Sequence, residues 1–359
     1  MRILVVTAWY PSADDPATGA FVEKDVLTLA AAHDVEVLHL VAPRLASGDP
    51  FSVRGGVVVR QVPMDPARPD HWIRASRAAR RLARGFDVVH TMAFPSLLPF
   101  LARRPGVPWV HTEHWSGISN PSSLPWAWRA AMPLLGRALA RPDAVTAVCE
   151  YLARPVGRLR RGPVEVVPCV VEPPDAVVPR PRAGRLVAVG GLVPGKDPLT
   201  AVDALALLAA DVPDVSLTWV GDGPLREDVL RRAGERGVAD RLRLVGRLPA
   251  PRVFAELDRA DLFLLPTLRE NFCVSAAEAL VHGRPVVAGA NGGHAEYLDP
   301  AVGELVGTQS GAAYARAVCA VLGRTAELSA ADVAATVGDR FSAATVRRGY
   351  ESAYRQVMR

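Results

Sequence analysis

Two carboxylates, Glu270 and Glu278, bracket a stretch that reads as a loop followed by a helix: Arg269-Glu270-Asn271-Phe272-Cys273-Val274-Ser275-Ala276-Ala277-Glu278. The apolar run Leu262–Pro266 upstream reads as a buried strand. Glu270 therefore falls just past the carboxyl end of a strand, where open α/β sheets bind ligands. A helix starting near Ser275 offers free N–H groups and the positive end of its dipole to an anion. Gly283 suits its stop. Ser275-x-x-Glu278 also fits a capping box, which alone would explain Glu278. Glu270 would then be a solvated loop carboxylate.

A second constellation, Gly190-Gly191-Leu192-Val193-Pro194-Gly195-Lys196-Asp197, has nearly the spacing of a P-loop. A P-loop needs a hydroxyl for Mg²⁺ where Asp197 stands. A P-loop-like nucleotide-binding protein is therefore the weaker reading. The stronger one keeps Lys196 as a point charge for a diphosphate, with glycines that let it come close. Gly221-Asp222-Gly223-Pro224 ends the next strand as a turn. No G-x-G-x-x-G follows the first strand of either half, which argues against an NAD enzyme.

The elements that must carry these residues alternate strand and helix throughout. Ile3–Ala8 is apolar without alternation, like a strand buried on both faces. A loop from Trp9 to Ala20, a helix Phe21–Ala32 and a strand Val35–Val41 follow. Further strands are expected at Val57–Val62, Asp87–His90, Val107–Thr112, Ala144–Val148 and Val164–Val167, with helices His71–Gly85, Pro95–Arg103 and Trp126–Ala140. Pro168, Pro173, Pro174, Pro179 and Pro181 mark a linker. The alternation then restarts at Leu186–Val189 and ends in a helix at Ala343–Met358. At 359 residues two domains are expected: 1–178 with the helix 343–359, and 179–342. Both read as Rossmann-like doubly wound parallel sheets.

Composition excludes several classes. The chain is 50% hydrophobic and 22% charged, with net charge +5. The basic excess lies in the first half, in part on the Arg-rich segment 71–85, which would meet acidic lipid headgroups with Trp72, Ile73, Ala79 and Leu82 as an ordinary core stripe. The four cysteines form no C-x-x-C pair, so neither zinc site nor disulfide framework is implied. The start is too short for a signal peptide, and no segment is long enough to span a membrane. A cytoplasmic protein is expected, peripheral at most, with no nucleic-acid partner.

In order and spacing, Gly190–Lys196, Gly221–Pro224, Val245-Gly246-Arg247-Leu248, Leu265-Pro266-Thr267, Glu270 to Glu278, Gly283–Val287 and Gly292-Gly293 resemble the retaining glycosyltransferases of family 4 (group 1). The first half resembles them more loosely, through Thr18-Gly19, Pro108–Thr112 leading to His114, Val148–Leu152 and Val167-Pro168-Cys169. The resemblance implies the GT-B fold: two Rossmann-like domains facing across a cleft, with the C-terminal helix crossing back to the first. It implies transfer, with retention, from a nucleotide diphosphate sugar, UDP-linked, to a hydroxyl acceptor, without metal or other cofactor. An epimerase of UDP-sugars on the same fold is the alternative. Lys196 would neutralise the diphosphate, with Gly19 letting the first loop approach it. Glu278 would bind the ribose, Glu270 the donor sugar beside the N–H groups of Phe272, Cys273 and Val274, and His114 the same sugar from the first domain. Arg247 and Leu248 would border the base. Apart from the resemblance, the aromatic faces of Trp115, Trp126 and Trp128 suit sugar rings and would line an acceptor pocket, with a buried core or a membrane edge as the equal alternative. Three positions depart from the family pattern: Gly191 replaces an Arg that pairs with the Lys, Cys149 a Ser, and Cys169-Val170 an Asn-Gly.

Overall fold

The structure, a computed structural model, describes residues 1–12, 18–46, 50–212 and 214–358. Residues 13–17 of the expected first loop lie outside these. The chain divides into two compact units, Met1–Val170 with Ser342–Arg359, and Val171–Phe341.

The first unit is built on β1 (Arg2–Thr7), α1 (Ala20–Ala30), β2 (Asp34–Val41), β3 (Phe51–Arg54), β4 (Val57–Pro63), α2 (Pro69–Ala83), β5 (Val88–Met92), β6 (Trp109–Glu113), α3 (Ser116–Ser119), α4 (Trp126–Leu135), β7 (Ala144–Ala147), α5 (Glu150–Gly157) and β8 (Val164–Val166). Its sheet runs β3-β4-β2-β1-β5-β6-β7-β8. All neighbours are parallel except β3, which forms a hairpin with β4. Segments Phe94–Phe100 and Gly136–Ala140, expected as α-helix, are 3₁₀ turns. Pro95 and Pro99 remove backbone donors from the first. The buried stripe of α2 is His71, Ala75, Ala79 and Ala83. This corrects the expected stripe, because Ile73 stands 54% exposed.

The second unit comprises β9 (Arg185–Val189), α6 (Pro198–Asp211), β10 (Ser216–Val220), α7 (Arg226–Glu235), β11 (Leu242–Gly246), α8 (Ala250–Asp258), β12 (Leu262–Leu265), α9 (Val274–Val281), β13 (Val286–Gly289), β14 (Gly303–Val306), α10 (Gly311–Arg324) and α11 (Ala330–Ala335). Its sheet is parallel throughout, in the order β11-β10-β9-β12-β13-β14. The unit boundary falls inside the proline-rich stretch: Pro168 lies in the first unit, and the segment from Pro173 on belongs to this one, where it is pinned. Arg284, fully buried, donates to the carbonyls of Val178 (2.8 Å), Leu257 (2.8 Å) and Asp258 (3.0 Å). The Asp261 carboxylate accepts from the N–H groups of Arg182, Ala183 and Arg185. The last helix, α12 (Ala343–Val357), returns to the first unit, where Val346, Tyr350, Ala353 and Tyr354 join the core beneath α1.

Candidate functional site

In the second unit, the carboxyl ends of β9 and β12 bring Lys196 and Glu270 together as an ion pair, Nζ on Oε1. Thr267 Oγ1 donates to the same Oε1 at 3.1 Å. Burial alone would lower the Lys196 ammonium. The charge of Glu270 and its hydrogen bond outweigh that and hold it above its ordinary value. The Glu270 backbone is fixed by its N–H on the Asn291 carbonyl (3.0 Å), and the next turn by Gly293 N–H on Asn271 (2.7 Å). Asp197 is not a metal-binding P-loop position: its carboxylate caps α6 through Thr200 and accepts from Gln309 Nε2 (2.8 Å).

α9 begins beside this pair. Cys273, not Ser275, is its N-cap, in left-handed backbone with φ 61°, and no side chain caps it. The Ser275–Glu278 capping box is therefore absent, because both residues already lie inside the helix. No described group accepts from the N–H groups of Phe272, Cys273, Val274 or Ser275. The Tyr297 hydroxyl faces the carbonyls of Phe272 (2.8 Å) and Cys273 (2.7 Å) and holds the strained turn. Burial pushes the Cys273 thiol up to about 12, with the Glu270 charge adding to it. An ammonium, a carboxylate and a bare helix start thus converge at the carboxyl edge of one sheet. By its chemistry such an arrangement can hold an anion and, next to it, hydroxyl groups.

In the first unit, Gly19 caps α1 with φ 78°, where a Cβ would come within 2.4 Å of the Trp9 carbonyl. His114 follows β6. Its backbone N–H donates to the buried Glu113 Oε1 (2.9 Å), which also takes the N–H groups of Phe94 and Trp115. Its ring lies against Phe21, with centroids 4.9 Å apart. Burial drives the imidazole down to about 3, with His111 adding to the shift, so it is neutral.

Two sequence profiles match the chain: "Glycosyltransferase Family 4" over residues 26–173 and "Glycosyl transferases group 1" over residues 183–324. The chain belongs to the group 1 glycosyltransferases. It is 31% identical to a 2-deoxystreptamine glucosyltransferase of Streptomyces kanamyceticus, over 54% of this chain and 56% of that protein. It is 28% identical to the GDP-mannose-dependent phosphatidylinositol monomannoside mannosyltransferase of Mycolicibacterium smegmatis, over 85% of each. Among solved structures, Anabaena HepE in complex with UDP superposes with a TM-score of 0.77 at 18% identity, over 98% of this chain and 99% of that one. Sucrose-phosphate synthase of Thermosynechococcus elongatus gives 0.75 at 19% identity, over 99% of each. These likenesses establish the GT-B fold.

In this glycosyltransferase, Lys196, Glu270, Phe272, Cys273 and Val274 meet at one place. Glu278 lies one turn into α9. Gly191 follows β9, and its backbone approaches Asp222. Arg247 and Leu248 leave β11, where Gly221 N–H bonds the Gly246 carbonyl (2.8 Å). The Phe272 ring is not at the site. It packs in the core on Tyr297 and Phe341, so only its main chain is available. Sequence reasoning assigned no role to Thr267, Gln309 or His294. His294 is fully buried, with Nε2 on the Gly289 carbonyl (2.6 Å), and its Nδ1 has no hydrogen bond. Thr267 was legible as the first hydroxyl after β12. Nothing in the local pattern singles out the other two. Trp115 stacks on Phe94 and meets Trp128 edge-on, while Trp126 stands 77% exposed.

Proposed function

We propose that this glycosyltransferase moves a sugar from a nucleoside diphosphate sugar, UDP-linked, to a hydroxyl of an acceptor, with retention of the anomeric configuration. The observation that carries this reading is the Lys196–Glu270 pair beside the uncapped start of α9. A diphosphate competes with Glu270 for the Lys196 ammonium and takes the free N–H groups of Phe272 to Ser275. Glu270, released, accepts hydrogen bonds from the donor sugar's hydroxyls. Glu278 serves the ribose, and Arg247 and Leu248 border the base. The leaving diphosphate meets its developing charge with groups already in place and needs no metal. His114 and the Gly19 turn serve the donor from the first unit.

The acceptor belongs to the first unit. Beyond the carboxyl ends of β1, β2 and β4 lies a hollow of about 290 Å³, lined in part by Trp9, Tyr10, His39, Arg44, Met64 and Pro95. The Tyr10 hydroxyl is buried there without a hydrogen-bond partner, and burial pushes it up to about 12, so it remains a donor. A polyol ring fits this lining: an aromatic face, hydrogen-bonding groups and one cation. We place the protein in the cytoplasm, with the exposed Ile73, Arg74 and Arg77 of α2 as its contact with an acidic membrane. No described helix is long and apolar enough to cross one.

A thermal-shift screen of UDP, GDP and their sugars tests the donor. At a hundred times its Kd the true donor adds about 2.7 kcal/mol to stability, and UDP is expected to do so. A shift with GDP alone would overturn the base assignment, and none with any nucleotide sugar would overturn the reading. Epimerised donor formed without acceptor would replace transfer by epimerisation.

A further inference from the structure

We infer that Asp25 is a positioning residue for His114: its carboxylic acid, held by Tyr350 of α12, donates its proton in a hydrogen bond to His114 Nε2 and so fixes the ring's tautomer. The inference rests on the proposed role of His114 toward the donor sugar.

Asp25 is on α1 and wholly buried. Its Oδ2 accepts from the Tyr350 hydroxyl at 3.1 Å. The same Oδ2 lies 3.7 Å from His114 Nε2. Asp25 Oδ1 is buried with no hydrogen-bond partner. A carboxyl in this position is a poor structural element, since burying it without full hydrogen bonding costs stability. A movement of about 0.8 Å brings Oδ2 and Nε2 to ordinary hydrogen-bond distance.

Protonation decides what that contact does. Burial raises Asp25 to about 8, against smaller lowering by the Tyr350 hydrogen bond and the Lys24 charge. At neutral pH it is an acid, and its O–H donates to Nε2. The imidazole proton then sits on Nδ1. Above the Asp25 pKa the direction reverses: Nε2–H donates to the carboxylate, and Nδ1 loses its proton. The groups facing Asp25 are Tyr350 and Tyr354 of α12, both pushed far up by burial, His114 just past β6, pushed down by burial, and Lys24 on its own helix; His90 of β5, also pushed far down by burial, packs on the two tyrosines. Among these tyrosines, histidines and the carboxyl, Asp25 is thus the group that changes charge between pH 7 and 9.

Three variants and one spectroscopic measurement test this. Asp25→Leu is expected to lower kcat about tenfold at pH 7 with donor KM unchanged, the size of one lost orienting contact. Asp25→Asn, whose amide N–H replaces the acid O–H, is expected to restore most of that loss and to abolish the fall of kcat near pH 8. Asp25→Leu combined with His114→Ala should lose no more than His114→Ala alone. Wild-type kcat in Asp25→Leu, an unchanged alkaline fall in Asp25→Asn, or fully additive losses would each overturn the inference. Nitrogen NMR of the labelled imidazole is independent of turnover. It should show His114 protonated on Nδ1 at pH 6.5 and on Nε2 at pH 9, with no exchange of tautomer in Asp25→Asn. The same tautomer at both pH values in the wild type would overturn the inference even if no nucleotide sugar were turned over, the outcome that would instead sink the proposed function.

Discussion

At the scale of single residues, the proposed donor site holds one lysine, and a second cation is expected there from the family resemblance. Gly191 occupies the second place, and nothing steric requires a glycine there. Its backbone has no positive φ, and an added Cβ would come no closer than ordinary contact, 3.6 Å from Asp222 O and from Val193 Cγ1. Gly191→Arg is therefore expected to fold and to lower the Kd for UDP about tenfold, one charge-assisted contact's worth. Titration calorimetry at two salt concentrations checks it, and an unchanged Kd would mean the side chain does not reach the diphosphate. In the proposed function Glu270 has two jobs: the ion pair with Lys196 that the structure shows, and the donor-sugar contact that we propose. Glu270→Gln removes the competitor for Lys196 while weakening the hold on developing charge. UDP should bind as tightly or tighter, while kcat falls about 10²-fold. Full activity in this variant would rule out the sugar contact. Because Lys196 is held above its ordinary value, its ammonium persists across neutral pH. UDP affinity should therefore show no lysine titration between pH 6 and 9.

At the scale of elements, α9 is defined by its two ends, one of which the sequence discloses. Gly283 stops it: with φ 75°, its N–H bonds Leu280 O (2.8 Å), and Arg284 N–H bonds Ala279 O (2.8 Å). A Cβ there would stand 2.4 Å from the Ala330 carbonyl. Gly283→Ala should cost about 2–4 kcal/mol, combining left-handed strain with a backbone clash, and lower the melting temperature without changing UDP affinity at permissive temperature. The start of α9 was misread. Ser275-x-x-Glu278 has capping-box spacing, but the chain turns earlier, at Cys273, because Tyr297 from beyond β13 grips the two carbonyls before it. Such a contact leaves no local pattern. The parallel strands were legible because their apolar runs admit no other buried element. The β3–β4 hairpin was missed although Gly55-Gly56, both at positive φ, is the residue pair such a turn demands. The polar cluster under α12 was not legible at all. Asp25, His90, His114, Tyr350 and Tyr354 come from α1, β5, the loop past β6 and α12, and only tertiary packing makes them neighbours.

At the scale of the whole molecule, that packing sets how stability responds to pH. His39, His90 and His114 are buried in the first unit and depressed, by desolvation first, to about 4, well below the ordinary value, and to about 3. Below pH ~6.5 the unfolded chain protonates all three while the folded one does not. Stability therefore falls as the medium is acidified, by about 1.4 kcal/mol per pH unit for each histidine. Asp25 acts in the opposite sense. Raised to about 8, it keeps its proton when folded and loses it when unfolded. Its contribution declines as pH rises from the ordinary carboxylate range to about 8. Below pH ~6.5 the three histidines outweigh the one carboxyl, and above it Asp25 acts alone. The first unit should be most stable near pH 6.5, with a steep acid side and a shallow alkaline side. Six of the seven tryptophans (all but Trp219) lie in the first unit. Urea unfolding followed by tryptophan fluorescence between pH 4.5 and 8.5 therefore reads it almost alone. Asp25→Asn should flatten the alkaline side and leave the acid side in place. His39→Gln should make the acid side shallower by about one histidine's share. A transition midpoint that ignores pH over this range would mean that these groups do not stay uncharged in the folded protein.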